Sequence, residues 1–352
     1  MRVFNNRKNT FLLGFAYFNL FSACQLHAAR EWAWQYVHEL KEKDRAAAFS
    51  QSVFTTSNDA IEPFTQLLFS WNAQRPAKGY FVFFVQGRDA HAGMWSSWHE
   101  AMKWGNGVQE SFMRPSDGVA LYAHVRFEAD AGKKCDAYRL RVKAYEGADL
   151  RALRRLAVTC ADFTQFTPEA VHAVASLPAV YIQDVPCYSQ FCVDHPENKR
   201  ICSPTSTAIL VEFITKKRYA LSQMAQKIFD CTLDTYGNWA FNMAHAYELS
   251  DKKAYYKVAR LNSFKDLHSY LMRGFPVAVS VRGTLKGAPQ AYASGHLLVV
   301  VGYDPAKKEV ICHDPAFLQD HITEHAYDLG SFLRAWECSR RLAYCIDTSF
   351  DV

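Results

Sequence analysis

The sequence predicts an α+β protein in two parts. An all-β sandwich domain over residues 30–165 precedes a mixed helix-and-strand domain over 180–352, with a linker at 166–179 and a signal segment at 1–29. Three observations carry this. The chain has 352 residues and a mass of 40.1 kDa, enough for about two domains. Six of the eight tryptophans precede residue 105, so the two halves differ in composition. Short apolar runs between turn residues fill the first half, whereas the second runs helix, mixed segments, then strand–turn–strand.

Hydrophobic residues make up 49% of the chain and charged residues 21%, which excludes a disordered or low-complexity protein. Three of the five net positive charges, Arg2, Arg7 and Lys8, lie in the first 23 residues, which hold no acid. The remainder carries +2 and gives no support for nucleic-acid binding. Residues 11–23 form an apolar stretch of 13, shorter than the roughly 20 residues of a membrane-spanning helix. Charge followed by a short apolar core reads as a signal peptide. Phe21-Ser22-Ala23-Cys24 resembles a bacterial lipobox, with Phe21 where that motif usually has Leu. A lipidated Cys24 would attach the protein to a membrane, and cleavage after Cys24 or near Ala28-Ala29 would release it. Both routes place it outside the cytoplasm, in the periplasm or at the cell surface.

Strands are expected at Tyr80–Gln86, Val119–Phe127 and Asp136–Tyr145. In the last, Tyr138, Leu140, Val142 and Ala144 share one face and Arg139, Arg141 and Lys143 the other, the pattern of a half-exposed strand. Glycines 79, 93, 105, 107 and 118 and Pro76 supply turns between such runs. Cys135 and Cys160 flank two of the expected strands, and antiparallel pairing would bring them close enough to bond. Trp71, Trp95, Trp98 and Trp104 either stack on sugars or pack the core, and core packing is the commoner use of large aromatics.

There are ten cysteines, at 24, 135, 160, 187, 192, 202, 231, 312, 338 and 345. Without Cys24 the number is odd, so one thiol is unpaired unless a bond is intermolecular. No Cys-x-x-Cys pair or His-Glu-x-x-His run is present, so neither a zinc site nor another cofactor is expected.

Ile201-Cys202-Ser203-Pro204-Thr205-Ser206 leads into the apolar run Thr207–Ile214. Ser203 is expected as N-cap and Pro204 as first helical residue, with Lys216, Lys217 and Arg218 at the far end, where the helix dipole favours cations. Cys202 would then sit just outside a helix N-terminus, where a thiolate is stabilised. From this segment alone, an activated thiol and a small buried cysteine are both open readings. Gly295-His296 opens a buried strand, a turn follows over Asp304–Lys308, and a second strand ends at Asp314. A turn centred near residue 305 puts His296 directly opposite Asp314, on one face, where imidazole and carboxylate meet. A slip of one residue would aim them apart. His313 points to the other face and is not chosen.

Cys202, His296 and Asp314, in that order and with these flanking residues, resemble the bacteriocin-processing-peptidase-like family of papain-like cysteine peptidases. The likeness covers roughly Val180 to Asp347. Val185-Pro186 and Tyr188-Ser189-Gln190 resemble the family's opening, Cys202–Ser206 its nucleophile turn, Gly295-His296 through Asp304 its histidine strand, and Asp314-Pro315 its third element. Ser203 stands where the family most often has Gly. The resemblance implies a papain-like fold and a Cys202–His296–Asp314 triad, with Gln190 and the Cys202 backbone N–H stabilising the oxyanion. It also implies that the region before residue 165 is an accessory domain. A Cys187–Cys192 disulfide is expected within this reading, ahead of reversible pairing of either with Cys202.

The function expected is therefore hydrolysis of a peptide or amide bond in a peptide or protein substrate. Transfer of the same thioester to an amine and a non-catalytic binding module on a peptidase fold are the alternatives. Tyr236, Trp239 and Phe241 either line a cleft or pack the core, and residues 283–294 read as a loop beside His296.

Overall fold

The structure is a computed structural model and describes residues 31–347. The signal segment, Cys24 included, lies outside the described residues. Within them are seventeen strands and seven α-helices.

Period-two burial organises the N-terminal part. Its strands are β1 (Ala33–Glu39), β2 (Val53–Asn58), β3 (Gln66–Ala73), β4 (Tyr80–Asp89), β5 (His99–Gly105), β6 (Gln109–Ser111), β7 (Ala120–Ala123), β8 (Arg126–Ala129), β9 (Cys135–Tyr145) and β10 (Leu153–Ala161), with helix α1 (Glu42–Gln51) after β1. They form two antiparallel sheets, ordered β1-β10-β3-β8-β7 and β2-β9-β4-β5-β6. In β9, Leu140 and Val142 are buried, whereas Arg139, Arg141 and Lys143 remain partly exposed. The two sheets fill a common core, in which Trp71 of β3 stacks on Phe83 of β4 with ring centroids 3.9 Å apart.

Two expectations change here, and the tryptophans divide. The run Val119–Phe127 is two strands, because His124 and Val125, at φ 48° and 66°, turn the chain back between β7 and β8. β9 and β10 belong to different sheets, so no ladder brings Cys135 opposite Cys160, and both thiols are free and buried. Trp71 and Trp104 are core residues, whereas Trp95 and Trp98 lie beneath the guanidinium groups of Arg139 and Arg141, 3.7 and 4.0 Å away.

Helix α2 (Val171–Val174) follows, and the remaining elements are β11 (Val180–Tyr181), α3 (Cys202–Thr215), α4 (Leu221–Ile228), α5 (Trp239–Leu249), β12 (Tyr255–Arg260), α6 (Phe264–Met272), β13 (Val277–Gly283), β14 (Tyr292–Asp304), β15 (Glu309–His313), β16 (Glu324–Asp328), α7 (Leu329–Cys338) and β17 (Leu342–Asp347). The strands make a third antiparallel sheet, β12-β17-β13-β14-β15-β16, with β11 beside β14. No strand from residues 33–161 enters it.

The two parts meet through α5. Its Ala240, Phe241 and Ala244 pack into the N-terminal core, and its Met243, Ala246 and Tyr247 into the C-terminal one. Residues one helical turn apart repeat on each face, so one short helix serves both cores. Asn72 of β3 adds a buried polar link: its amide donates to the Tyr256 carbonyl at 3.0 Å and accepts from the Tyr256 N–H at 2.8 Å. The connecting segment at 166–179 makes contacts with the C-terminal part. Phe264 N donates to the Glu169 carboxylate at 2.7 Å, and Arg341 donates to the Thr167 carbonyl at 3.0 Å. Among the described residues, no helix is long and apolar enough to cross a membrane.

Candidate active site

Cys202 is the first residue of α3, not the residue before it. The N-cap position falls to Ile201, and Ser203, expected there, lies inside the first turn with its hydroxyl 2.9 Å from the Tyr344 hydroxyl of β17. Pro204 is tolerated in this turn because its missing N–H would have no intrahelical acceptor. Ser206 Oγ donates to the Leu297 carbonyl at 3.0 Å, so the start of α3 is fastened to both β14 and β17. Every residue from Ser203 to Val211 is buried, which fixes the helix axis, while Cys202 stays partly exposed.

Two bulges set the facing histidine and aspartate. The β13–β14 ladder shifts register between Val281 and Gly283, just where β14 approaches His296. Gly295, at φ 93°, takes a conformation that other residues rarely adopt. β14 therefore begins at Tyr292, four residues earlier than expected for a strand opening at His296. In the β14–β15 hairpin Asp304 pairs with Glu309, so the turn is Pro305–Lys308, centred beyond residue 305. Continued without interruption, that register would set Asp314 level with Val299 and on the wrong face for His296. A bulge between Val300 and Gly302 restores the parity, and Val299 pairs with His313. The direct opposition expected from the sequence is thus replaced by an offset of two residues, with both side chains still on one side.

His296 Nε2 lies 2.7 Å from Asp314 Oδ1. Cys202 lines the same cleft as this imidazole, near enough for each to favour the charged form of the other. Asp314 is fully buried and accepts three further bonds: Ala316 N–H to Oδ1 at 2.9 Å, and the Tyr292 and Tyr327 hydroxyls to Oδ2 at 2.6 Å each. Burial alone would raise this carboxyl; the His296 charge and the donors around it outweigh that and hold it below its ordinary value. Burial likewise opposes ionisation of the other two groups and is overcome. The His296 charge, with the Leu297 N–H, holds the Cys202 thiol low, and Asp314 and Cys202 hold the imidazole high. The arrangement favours a thiolate–imidazolium pair resting on a carboxylate.

Tyr292 and Tyr327 escape sequence reasoning. Tyr292 stacks on the His296 ring, centroids 4.1 Å apart, and comes from the segment read as a loop. Tyr327 stands on β16, a strand not expected. No local signal marks either residue, since their importance lies in which distant carboxylate they reach.

Gln190 borders the same cleft as Cys202 and His296, is 2% exposed, and leaves its Oε1 without a partner. The cleft encloses about 700 Å³ and is lined also by Trp239 and residues 290–295. Its far wall includes His124 and Val125 of the β7–β8 turn. Phe241 packs against Trp71 instead, and Tyr236 against Phe229. His313 meets Pro186, Glu324 and Cys187, none of which lines the cleft. The expected Cys187–Cys192 bond is absent: Cys187 faces His313, and Cys192 Sγ lies 3.5 Å from the Leu318 carbonyl. Among the described residues no group of three or more His, Cys, Asp or Glu is placed to hold a metal ion.

A helix-borne cysteine facing a sheet-borne histidine and aspartate belongs to the chemistry of cysteine peptidases. Residues 182–344 match the model of the Peptidase C39 like family, and residues 25–161 match that of the Peptidase C39 N-terminal domain. The chain belongs to the C39-like peptidases. Searches of curated proteins and of solved structures returned no match.

Proposed function

We propose that this protein is an exported, papain-like cysteine peptidase that cleaves a peptide or amide bond through a thioester. The observation that carries the reading is the fourfold-bonded Asp314, which holds His296 in one orientation beside Cys202. In the proposed cycle the Cys202 thiolate attacks the acyl carbon. The Gln190 amide and the Cys202 backbone N–H donate to the oxyanion, and the His296 imidazolium protonates the leaving amine. Water, deprotonated by His296, then releases the acid. The placement of α3 against the sheet that carries His296 supports the papain-like description. The core shared by the two N-terminal sheets supports a β-sandwich accessory domain.

An alkylating thiol probe followed by peptide mapping tests the chemistry. Cys202 is expected to label from mildly acidic pH upward, and kcat/KM to hold a plateau between two limits. Its acid limb belongs to the thiolate, displaced below the ordinary thiol value, and its alkaline limb to the imidazolium, displaced above the ordinary histidine value. A binding module would leave Cys202 unlabelled at acidic pH. Product analysis with an added amine separates hydrolysis from acyl transfer.

The accessory domain contributes to the site through its turn. Val125 is β-branched, buried and at φ 66°, a strained conformation for such a residue, and it faces the cleft. Replacing the pair by His124→Asn with Val125→Gly suits the turn better. The double variant is expected to be as stable or more so, by about 1 kcal/mol, yet to raise KM several-fold with kcat little changed. An unaltered KM over a panel of peptides would remove the turn from the substrate site.

Export rests on the basic and then apolar N-terminus. A cytosolic product retaining Met1 would overturn it, and loss of lipid labelling in Cys24→Ala would identify the lipid-anchored form.

A further inference from the structure

His313 lies on the opposite face of β15 from the Asp314 site and takes no part in it. Its ring is almost fully buried, at 2% exposure, yet both nitrogens meet acceptors. Nδ1 is 2.8 Å from the Pro186 carbonyl, and Nε2 is 3.2 Å from the Glu324 carboxylate. Carbonyl and carboxylate oxygens accept and do not donate, so both contacts are satisfied only when both nitrogens carry protons. The two acceptors therefore favour the imidazolium. The Tyr181 hydroxyl donates to the same Glu324 oxygen at 2.6 Å and fixes the carboxylate in place.

The Cys187 sulfur lies 3.6 Å from Nδ1 and 3.7 Å from Nε2. Near-equal distances put it over the ring, since the in-plane N–H directions already point at Pro186 and Glu324. A sulfur on the face of a held cation is stabilised as the thiolate. The titratable groups around it are His313 on β15, Glu324 on β16 and Tyr181 on β11, and of these the nearest is the cation. Apart from Cys202 in the cleft, the other cysteines lack this setting. Cys135, Cys160, Cys312 and Cys345 are buried, and burial pushes their thiols up. Cys192 and Cys231 are exposed but face backbone carbonyls. Cys187 is partly exposed, so it combines access with charge.

We propose that Cys187, held over the His313 imidazolium, is a modification site, a second reactive thiol that exchanges with small-molecule disulfides. The thiolate attacks one sulfur of R–S–S–R, a Cys187–S–S–R bond forms as the original S–S bond breaks, and R–S⁻ leaves. One disulfide is consumed and one is formed, so electrons balance with no further oxidant. The adduct sits three residues before Gln190, on the opposite side of the hairpin from Cys202. The site stands on its own contacts and does not depend on the peptidase reading.

The test is to incubate the full-length protein with glutathione disulfide and follow each cysteine by peptide mass spectrometry. An ordinary exposed thiol gains roughly a hundredfold in thiolate between about pH 6 and pH 8. Cys187 is expected to react faster than the exposed Cys192 and Cys338 at the acidic end and to change by less than about tenfold over the same range. His313→Gln should slow Cys187 at acidic pH by about tenfold or more and restore the steep profile, leaving the exposed cysteines unchanged. Glu324→Gln, at an exposed position, should shift the profile in the same direction and serves if the buried variant does not fold. Cys187 reacting no faster than Cys338 at acidic pH, or with a profile as steep, would overturn the proposal. So would a rate indifferent to both substitutions.

Discussion

Cys202→Ala is expected to reduce turnover to background, a fall of about 10⁴- to 10⁶-fold in kcat, with the fold intact. The magnitude follows from the proposed mechanism, in which no other group forms the acyl bond: Gln190 and the backbone N–H stabilise an oxyanion that never arises without the nucleophile. The side chain is partly exposed at the first turn of a helix whose buried length begins one residue later, and alanine suits a helix. Stability should therefore change by less than about 1 kcal/mol. The Asp314 bonds to His296, Tyr292, Tyr327 and Ala316 do not involve the sulfur and should persist. Turnover retained above about a hundredth of the parent in a well-folded variant would sink the assignment of Cys202 as nucleophile.

Asp314 substitutions should carry the largest cost in stability. Asp314→Ala strands the His296 N–H, two tyrosine hydroxyls and the Ala316 N–H in a buried site, and a loss of about 3–5 kcal/mol is expected. Asp314→Asn is milder, because its carbonyl can still accept from His296 and its amide can donate to a reoriented tyrosine hydroxyl. It removes the charge that favours the imidazolium, so kcat/KM should fall by about 10²- to 10⁴-fold, less than for Cys202→Ala. The pH dependence distinguishes loss of this charge pair from general loosening. Asp314 is depressed in the folded protein, so its contribution is present above the ordinary aspartate value and is lost as pH falls through the lower folded one. His296 is raised, so its contribution is complete below the ordinary histidine value and is lost as pH rises through the higher folded one. The gap in melting temperature between parent and Asp314→Asn should therefore be widest between roughly pH 4 and 6.5 and should narrow on both sides. A gap independent of pH would show that packing, not charge, sets the cost.

Periodic and local features were legible in the chain itself. The alternation in β9, the continuous apolar run of β14 and the helix after Cys202 each repeat one simple signal over many residues, and such signals survive tertiary packing. The same local reading brought Cys202, His296 and Asp314 forward as one group, because a thiol at a helix start and an acid facing a histidine across a hairpin are placed by short stretches of backbone; Gln190 came from the family resemblance. What the tertiary structure decided is how those stretches are adjusted and held. The turn at Pro305–Lys308 alone would have aimed Asp314 away from His296, and a single bulge near Val301 corrects it. Ser203 caps nothing because Tyr344, far along the chain, takes its hydroxyl. Tyr292 and Tyr327 hold the carboxylate, and a turn from the first part of the chain closes the cleft. These depend on contacts between segments tens to hundreds of residues apart. A hydrophobic period encodes which face of an element is buried, but not which distant side chain will meet it there.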